Sequence, residues 1–406
     1  MSRLGLMTRI VTFGLILSLT VGYPFEAYGF YPPIVEKKSL KWLKSRNDPA
    51  ATGIQPVRGR EQLLVSYTIP PGDLPFLIGR SYTYDNAAGA IALLLWGQQE
   101  RAQTILSNVE RLMDRQGTLG FSYQVNSSSV DSRVRTGALA WVGYAMLLYQ
   151  QVTQDDRFQG AAVRIGEYLK GLETPLGSLK GGPDVAWVST EHNVDAYFFF
   201  RELYRVTGNA TYRAVANRIR ESLLTHLWVT APVPHFLRGI RDDTPALDAN
   251  VLGALFLSAI GQRAKASDAL RYVEQTFRNR QTIPGSARTT WGYAPDANRG
   301  TIWLEGTFMT ALAYWRLAEA LERAREAEGT GRLFFAQKIL SYSMPIREDW
   351  IAQGRWRGGF PYAVAVPRYI NPDGDTFAEW ESVAATSWYL ISAATGSRQS
   401  IFLNPD

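Results

Sequence analysis

Six stretches of this 406-residue chain share one pattern, and that recurrence limits the fold more than any other feature of the sequence. Each opens on a polar or acidic residue and runs into small and apolar residues at helical spacing. They are YDNAAGAIALLLWG from Tyr84, RTGALAWVGYAMLLY from Arg135, EHNVDAYFFFRELY from Glu191, LDANVLGALFLSAIG from Leu247, LEGTFMTALAYWRLAEAL from Leu304 and ESVAATSWYLISAATG from Glu381. Helices almost uncharged on every side belong inside a protein. The stretches between them, such as QERAQTILSNVERLM and TYRAVANRIRESLLTHLW, are apolar on one face and charged on the other, as surface helices are. Inner and outer helices therefore alternate, with a period of about 50 to 60 residues. Glycine–aromatic loops such as GTLGFSYQ, HFLRGIRDD, TTWGYAPD and RGGFPYA precede the inner stretches and favour tight turns or short strands. Helical hairpins of one polarity most simply close into a ring, with the inner helices starting at one end. An open array is the alternative, and it needs capping repeats and a uniform period, whereas the last interval here is longer.

The starts of the inner helices carry acids: Asp85, Glu191, Asp248, Glu305 and Glu381. Capping accounts for one acid per helix, since Ser189 or Thr190 can cap the third and a carboxylate suits the positive end of the helix dipole. Glu191 and Asp195 are four apart and share a face, about 6 Å apart along the axis. Capping does not account for the aromatic company, which includes Tyr82, Tyr84, Trp187, Trp291, Tyr293, Trp303, Trp356, Tyr362 and Trp380. Rings beside carboxylates suit a sugar cleft, where C–H faces stack on rings and hydroxyls bond to acids, amides and arginines.

On the openings YTYDNA, STEHNVDAY, ALDAN and WLEGT, and on the GGFPYA loop, the chain resembles the six-hairpin glycosidases from roughly Tyr82 to Gly396. That resemblance implies an all-α (α/α)6 toroid of alternating inner and outer helices. It further implies two carboxylates across a cleft, one protonating the leaving oxygen and one activating water, with inversion the usual outcome. Glu191, among Trp187, His192 and Asn193, is the candidate general acid, and Asp248 the candidate base; Glu305 suits either role. Asp85, Tyr84, Arg135, Trp187, His192, Asp195, Trp303, Tyr293 and Tyr362 are the candidate sugar-binding residues. Asp195 equally suits a bond to a neighbouring inner helix, His192 a structural place, and Arg135 with Arg133 a local pairing beside Asp131. Asp373 and Asp375 in NPDGD read as a turn, with a calcium site as the lesser reading.

Composition narrows the classes. The absence of cysteine excludes disulfides, thiolate metal sites and a cysteine nucleophile, and three histidines are few for a zinc site, so no metal or cofactor is expected. A net charge of +6 is spread among acids without a basic stripe, which argues against a nucleic-acid partner. Arg3, Arg9 and the apolar run from Ile10 to Val21 read as a signal peptide over 1–29, ending at Ala27-Tyr28-Gly29. Export to a bacterial periplasm or exterior, with no stable membrane insertion after cleavage, is the expectation. Residues 30–80 then form an extension packed on a toroid domain over 81–400. The expected function is hydrolysis of a β-glucan-like polysaccharide by a monomer, and the aromatics in several loops suit an open, endo-acting groove. A polysaccharide lyase using Tyr84 or His192 with Arg135, and a non-catalytic carbohydrate binder, are the rivals. A sugar epimerase needs two opposed histidines, and only His192 lies at an inner-helix opening, since His226 ends an outer helix and His235 lies in a loop. A terpenoid cyclase needs a D-x-D-D acid that the chain lacks.

Overall fold

The computed structural model describes residues 33–324, 329–364, 368–397 and 402–403; the expected signal segment lies outside them. The helices in chain order are α1 (Pro33–Lys44), α2 (Pro49–Thr52), α3 (Thr83–Leu95), α4 (Gln99–Leu112), α5 (Thr136–Thr153), α6 (Gln159–Lys170) and α7 (Thr190–Thr207). They continue with α8 (Ala210–Ser222), α9 (Leu247–Ala259), α10 (Arg263–Thr276), α11 (Leu304–Arg323), α12 (Gly329–Ser341), α13 (Met344–Ala352) and α14 (Val383–Ser397). The six apolar stretches are α3, α5, α7, α9, α11 and α14. Each packs on the next, and α14 returns to α3, so the ring closes as an (α/α)6 toroid. Short antiparallel strand pairs occupy the glycine–aromatic loops, among them Arg80–Tyr82 with Ser122–Gln124 and Arg278–Thr282 with Thr289–Tyr293. No helix among the described residues is long and apolar enough to cross a membrane.

Five outer helices follow their inner partners in the chain, and the sixth outer place goes to α1. It lies against α14, where Ser39 Oγ donates to the Gly358 carbonyl at 2.8 Å and Trp42 Nε1 donates to Glu381 Oε2 at 3.1 Å. Gly359 lets the chain pass the Trp42 ring, because a Cβ there would stand 2.5 Å from it. The described part of the extension expected to pack on the toroid thus supplies, in α1, the sixth outer helix. Inside the ring, glycines set the helix spacing. A Cβ at Gly143 of α5 would stand 2.3 Å from the Phe199 ring of α7. Phe199, Phe200 and Phe256 are fully buried, and each such ring contributes about 1.5–3 kcal/mol.

One contact repeats at the mouth of five inner helices. At the fourth helical residue, a buried Asn or Thr accepts a backbone N–H from the loop that leads in. Asn86 takes Leu64 N–H (2.9 Å), Asn193 takes Leu179 N–H (2.7 Å) and Asn250 takes Phe236 N–H (2.9 Å). Thr307 takes Tyr293 N–H (3.0 Å) and Thr386 takes Phe360 N–H (2.9 Å). The first four also donate to the carbonyl four residues back: Tyr82, Ser189, Ala246 and Trp303. Each clasp binds loop to helix start and so fixes where the preceding acid points. Helix α5 carries neither the clasp nor the acid; its Thr136 donates to the Lys180 carbonyl instead. Replacing Asn250 with Ala strands the Phe236 N–H and carbonyl in the core, since the side chain serves both. The expected cost is about 1–3 kcal/mol in chemical unfolding; a smaller change would show that the clasp is incidental.

Candidate active site

The clasps bring acids from four inner helices to one end of the ring. Glu191, Asp248 and Glu305 are each the second residue of consecutive inner helices α7, α9 and α11; Asp85 is the third residue of α3. Asp195 sits one turn deeper in α7. Glu191 and Asp248 lie deep among protein atoms yet keep some solvent-accessible surface, as groups lining a cleft do, while Asp85, Asp195 and Glu305 are buried.

Burial raises every one of these acids. The Glu191 carboxyl is held well above its ordinary value by burial first, then by the charges of Asp248, Asp195, Glu305 and Asp375. Asp195 rises well above its own, through burial and then Asp248, with Trp141 opposing. Glu305 is pushed up to about 8 by burial, with Asp85 and Asp248 adding. Asp85 reaches about 7 through burial, opposed by Ser66. Asp248 is raised by burial, but its own helix opposes the rise: Ala249 N–H donates to Oδ1 at 2.7 Å, and the Arg238 charge draws it down as well. Five mutually repelling acids cannot all be ionised in one low-dielectric basin, so protons stay there at neutral pH.

Tyr84 orients Glu305. Its hydroxyl donates to Oε1 at 2.7 Å and accepts from Trp388 Nε1 at 2.6 Å, bridging α3, α11 and α14. Among the described residues neither Asp195 oxygen has a hydrogen-bond partner, and Asp195 lines a small cavity with Ala140, Trp141, Tyr144, Phe198, Leu252 and Leu403. Helix α5 comes close here: a Cβ on Gly137 would stand 2.5 Å from the His192 ring and 3.0 Å from Asp195 Oδ2. His192 is depressed to about 4 by burial and then by Arg135, so its ring is neutral and free of charge at neutral pH.

The other expected residues divide between basin and rim. Tyr362 lies near the acids and stacks on Phe377 with centroids 5.2 Å apart. Trp303 packs edge-on against Tyr362, and its side chain opposes the rise of Glu305. Trp187 is 37% exposed on the rim with the Arg238 guanidinium over its ring. Arg135 pairs with Asp184 at 2.9 Å, and Arg133 with Asp131, so both arginines are engaged locally. Tyr293 is placed away from the basin. It is fully buried, and its hydroxyl donates to Glu274 of outer helix α10. Glu381 also turns away, toward Trp42 and Arg46. His226 ends an outer helix, and His235 stacks on Tyr272 of α10. Sequence reasoning missed Trp141, Trp388 and Arg238, because nothing in their spacing marks them off from core and surface residues. Among the described residues no group of three or more His, Asp or Glu side chains is arranged to hold a metal ion.

The raised acids make stability depend on pH. The folded-state values of Asp85 and Glu305 lie above their ordinary values of 3.8 and 4.5, so the protonated forms favour folding. That contribution is whole below the ordinary values and is lost as pH rises through about 7 for Asp85 and about 8 for Glu305. Glu305→Gln keeps the neutral form at every pH. Calorimetry is expected to show its melting temperature gaining on wild type as pH rises through about 8; a gap that does not change with pH contradicts the shift.

No protein-family model matches the chain, and no curated protein matches it by sequence. Solved structures do match. A D-mannose isomerase aligns with TM-score 0.60 at 10% identity, over 90% of this chain and 99% of that one. A glycosidase aligns with TM-score 0.59 at 14% identity, over 95% and 99%. A glycoside hydrolase family 76 mannosidase from Bacteroides thetaiotaomicron aligns with TM-score 0.61 at 11% identity, over 90% and 98%. At these identities the likeness is one of fold: the chain shares the (α/α)6 toroid with these structures.

Proposed function

We propose that the chain is a glycoside hydrolase that inverts the anomeric centre, with Glu191 as general acid and Asp248 as general base. The observation that carries this reading is the unlike setting of two partly solvent-accessible acids on adjacent inner helices. Glu191 sits among four other acids and holds its proton; Asp248 has a helix N–H and Arg238 to favour its charge. A proton donor and a proton acceptor in one basin are what acetal hydrolysis requires. Glu305, set by Tyr84, supports the pair and takes sugar hydroxyls with Asp85; Trp303 and Tyr362 offer stacking faces. The substrate class is a neutral, β-glucan-like polysaccharide, and the N-terminal sequence marks the protein for export.

The rivals fit less well. A lyase would draw a uronate into a basin of five acids whose nearby arginines, Arg135 and Arg238, are already paired. An isomerase of the two-histidine kind lacks its second histidine, since only His192 reaches the basin among the described residues. A pure binder has no need for two acids whose surroundings differ in how far they favour the charged form.

The test is a panel of glucans, mannans and uronate polymers, followed for new reducing ends and for unsaturated products, with the first product's anomer read by NMR. Hydrolysis with inversion is expected; unsaturated products would identify a lyase. Glu191→Gln and Asp248→Asn should each lower kcat/KM about 10²–10⁴-fold. The wild-type pH profile should be bell-shaped: activity falls at low pH as Asp248 takes a proton, and at high pH as Glu191 loses one. Glu191→Gln should abolish the alkaline limb, and its persistence would move the acid elsewhere.

A further inference from the structure

Between the basin and solvent stands a hairpin, Tyr369–Ile370 paired with Thr376–Phe377 and joined by the turn Asn371-Pro-Asp-Gly-Asp375. The turn is self-supporting: Asp375 N–H donates to Asn371 Oδ1 at 2.7 Å, and Gly374 takes the positive φ of 89° that the reversal needs. Its root is tied on two sides. Arg368 pairs with Asp73, in the segment leading to α3, at 2.9 Å, and Trp380 Nε1 donates to the same carboxylate at 2.8 Å. Tyr369 Oη donates to Asp296, ahead of α11, at 2.8 Å. The Tyr362–Phe377 stack seats the hairpin on the aromatic floor. Its tip reaches the far side of the ring, where Asp373 pairs with Arg238 in the loop leading to α9. Arg238 is itself fixed by Asp242 at 2.7 Å. In ring order α3 and α9 are opposite. The hairpin therefore runs across the mouth from the α3 and α11 loops to the α9 loop, while Trp187 and Arg135, from the loops leading to α7 and α5, stand elsewhere on the rim. Beside the tip, the Asp375 carboxylate acts electrostatically on Glu191, Asp248 and Tyr362.

We propose that this hairpin is an end wall: it makes the basin blind on one side, so the chain cleaves from a polymer end, and Asp375 holds the terminal sugar's hydroxyls. This rests on the glycosidase reading and replaces the open, endo-acting groove that the aromatic loops had implied. A polymer cannot run through a site closed beyond its cleavage point. A carboxylate at the closed end meets only the last residue, where it accepts charge-assisted hydrogen bonds.

Soluble β-glucan and mannan are the probes. The wild-type protein is expected to release one short product from the start, with reducing ends rising while viscosity hardly falls. An early viscosity collapse with a ladder of products overturns the wall. Asp375→Ala, an exposed turn position, should raise KM for the shortest oligosaccharide cleaved about tenfold with a smaller change in kcat; an unchanged KM removes Asp375 from the sugar. Asp373→Ala frees the tip from Arg238 and should raise viscosity loss per reducing end; no rise overturns the role of that tie. If neither polymer nor any other carbohydrate of the panel is cleaved, the glycosidase reading falls, and the end wall with it.

Discussion

The clasp at the fourth residue of the inner helices is the contact on which the site depends. A helix start leaves backbone donors without partners, and a loop packed inside a protein does the same. One Asn or Thr side chain meets the loop's need by accepting one of its N–H groups, and in four of the five units it also donates to the carbonyl of the residue just before the helix. Repeated in five units, it holds each loop in the same register against its helix. The second helical residue then faces the axis in α7, α9 and α11 alike, which is why Glu191, Asp248 and Glu305 converge. The reactive geometry is thus a by-product of a polar contact that is structural in every unit.

Convergence has an electrostatic consequence that works against folding. Helix N-termini favour negative charge, but removal from water disfavours it, and four neighbouring acids disfavour it further. Burial is the largest cause at each of the five positions. The basin resolves the conflict by keeping protons and by surrounding itself with neutral donors, such as Tyr84 against Glu305, in place of cations. Arg238 is the exception, and its charge is shared with Asp242 and Asp373 before it reaches Asp248. Strain of this kind concentrates where chemistry is done.

The ring and its polarity were legible in the sequence because they rest on period. Stretches with no charge after their first turn, such as Leu247–Ala259, differ in every later turn from charged ones such as Arg263–Thr276, and the acids sit within the first three residues of α3, α7, α9 and α11. Glu381 fits the same pattern by spacing yet points to Trp42, because the strand before α14 turns it outward to the sixth outer helix. Tyr293 is another such case: it ends the strand Thr289–Tyr293 against outer helix α10, where Glu274 takes its hydroxyl. Four of the Asn and Thr clasps were present in YTYDNA, STEHNVDAY, ALDAN and WLEGT, but their meaning depends on partners 14 to 22 residues away. The crossing of Asp373 to Arg238, 135 positions apart, has no local signature at all.

The place of α1 in the toroid bears on how the chain assembles. Trp42 and Glu381 are 339 positions apart, and Ser39 and Gly358 are 319 apart. A helix that leaves the ribosome among the first must wait, its apolar side uncovered, until the last inner helix is made. Closing so large a loop is entropically costly and favours slow, late completion. Until then the ring is an open arc whose edges, α11 and α3, expose the faces that α14 will cover, a surface that invites chaperones or a second unfinished copy.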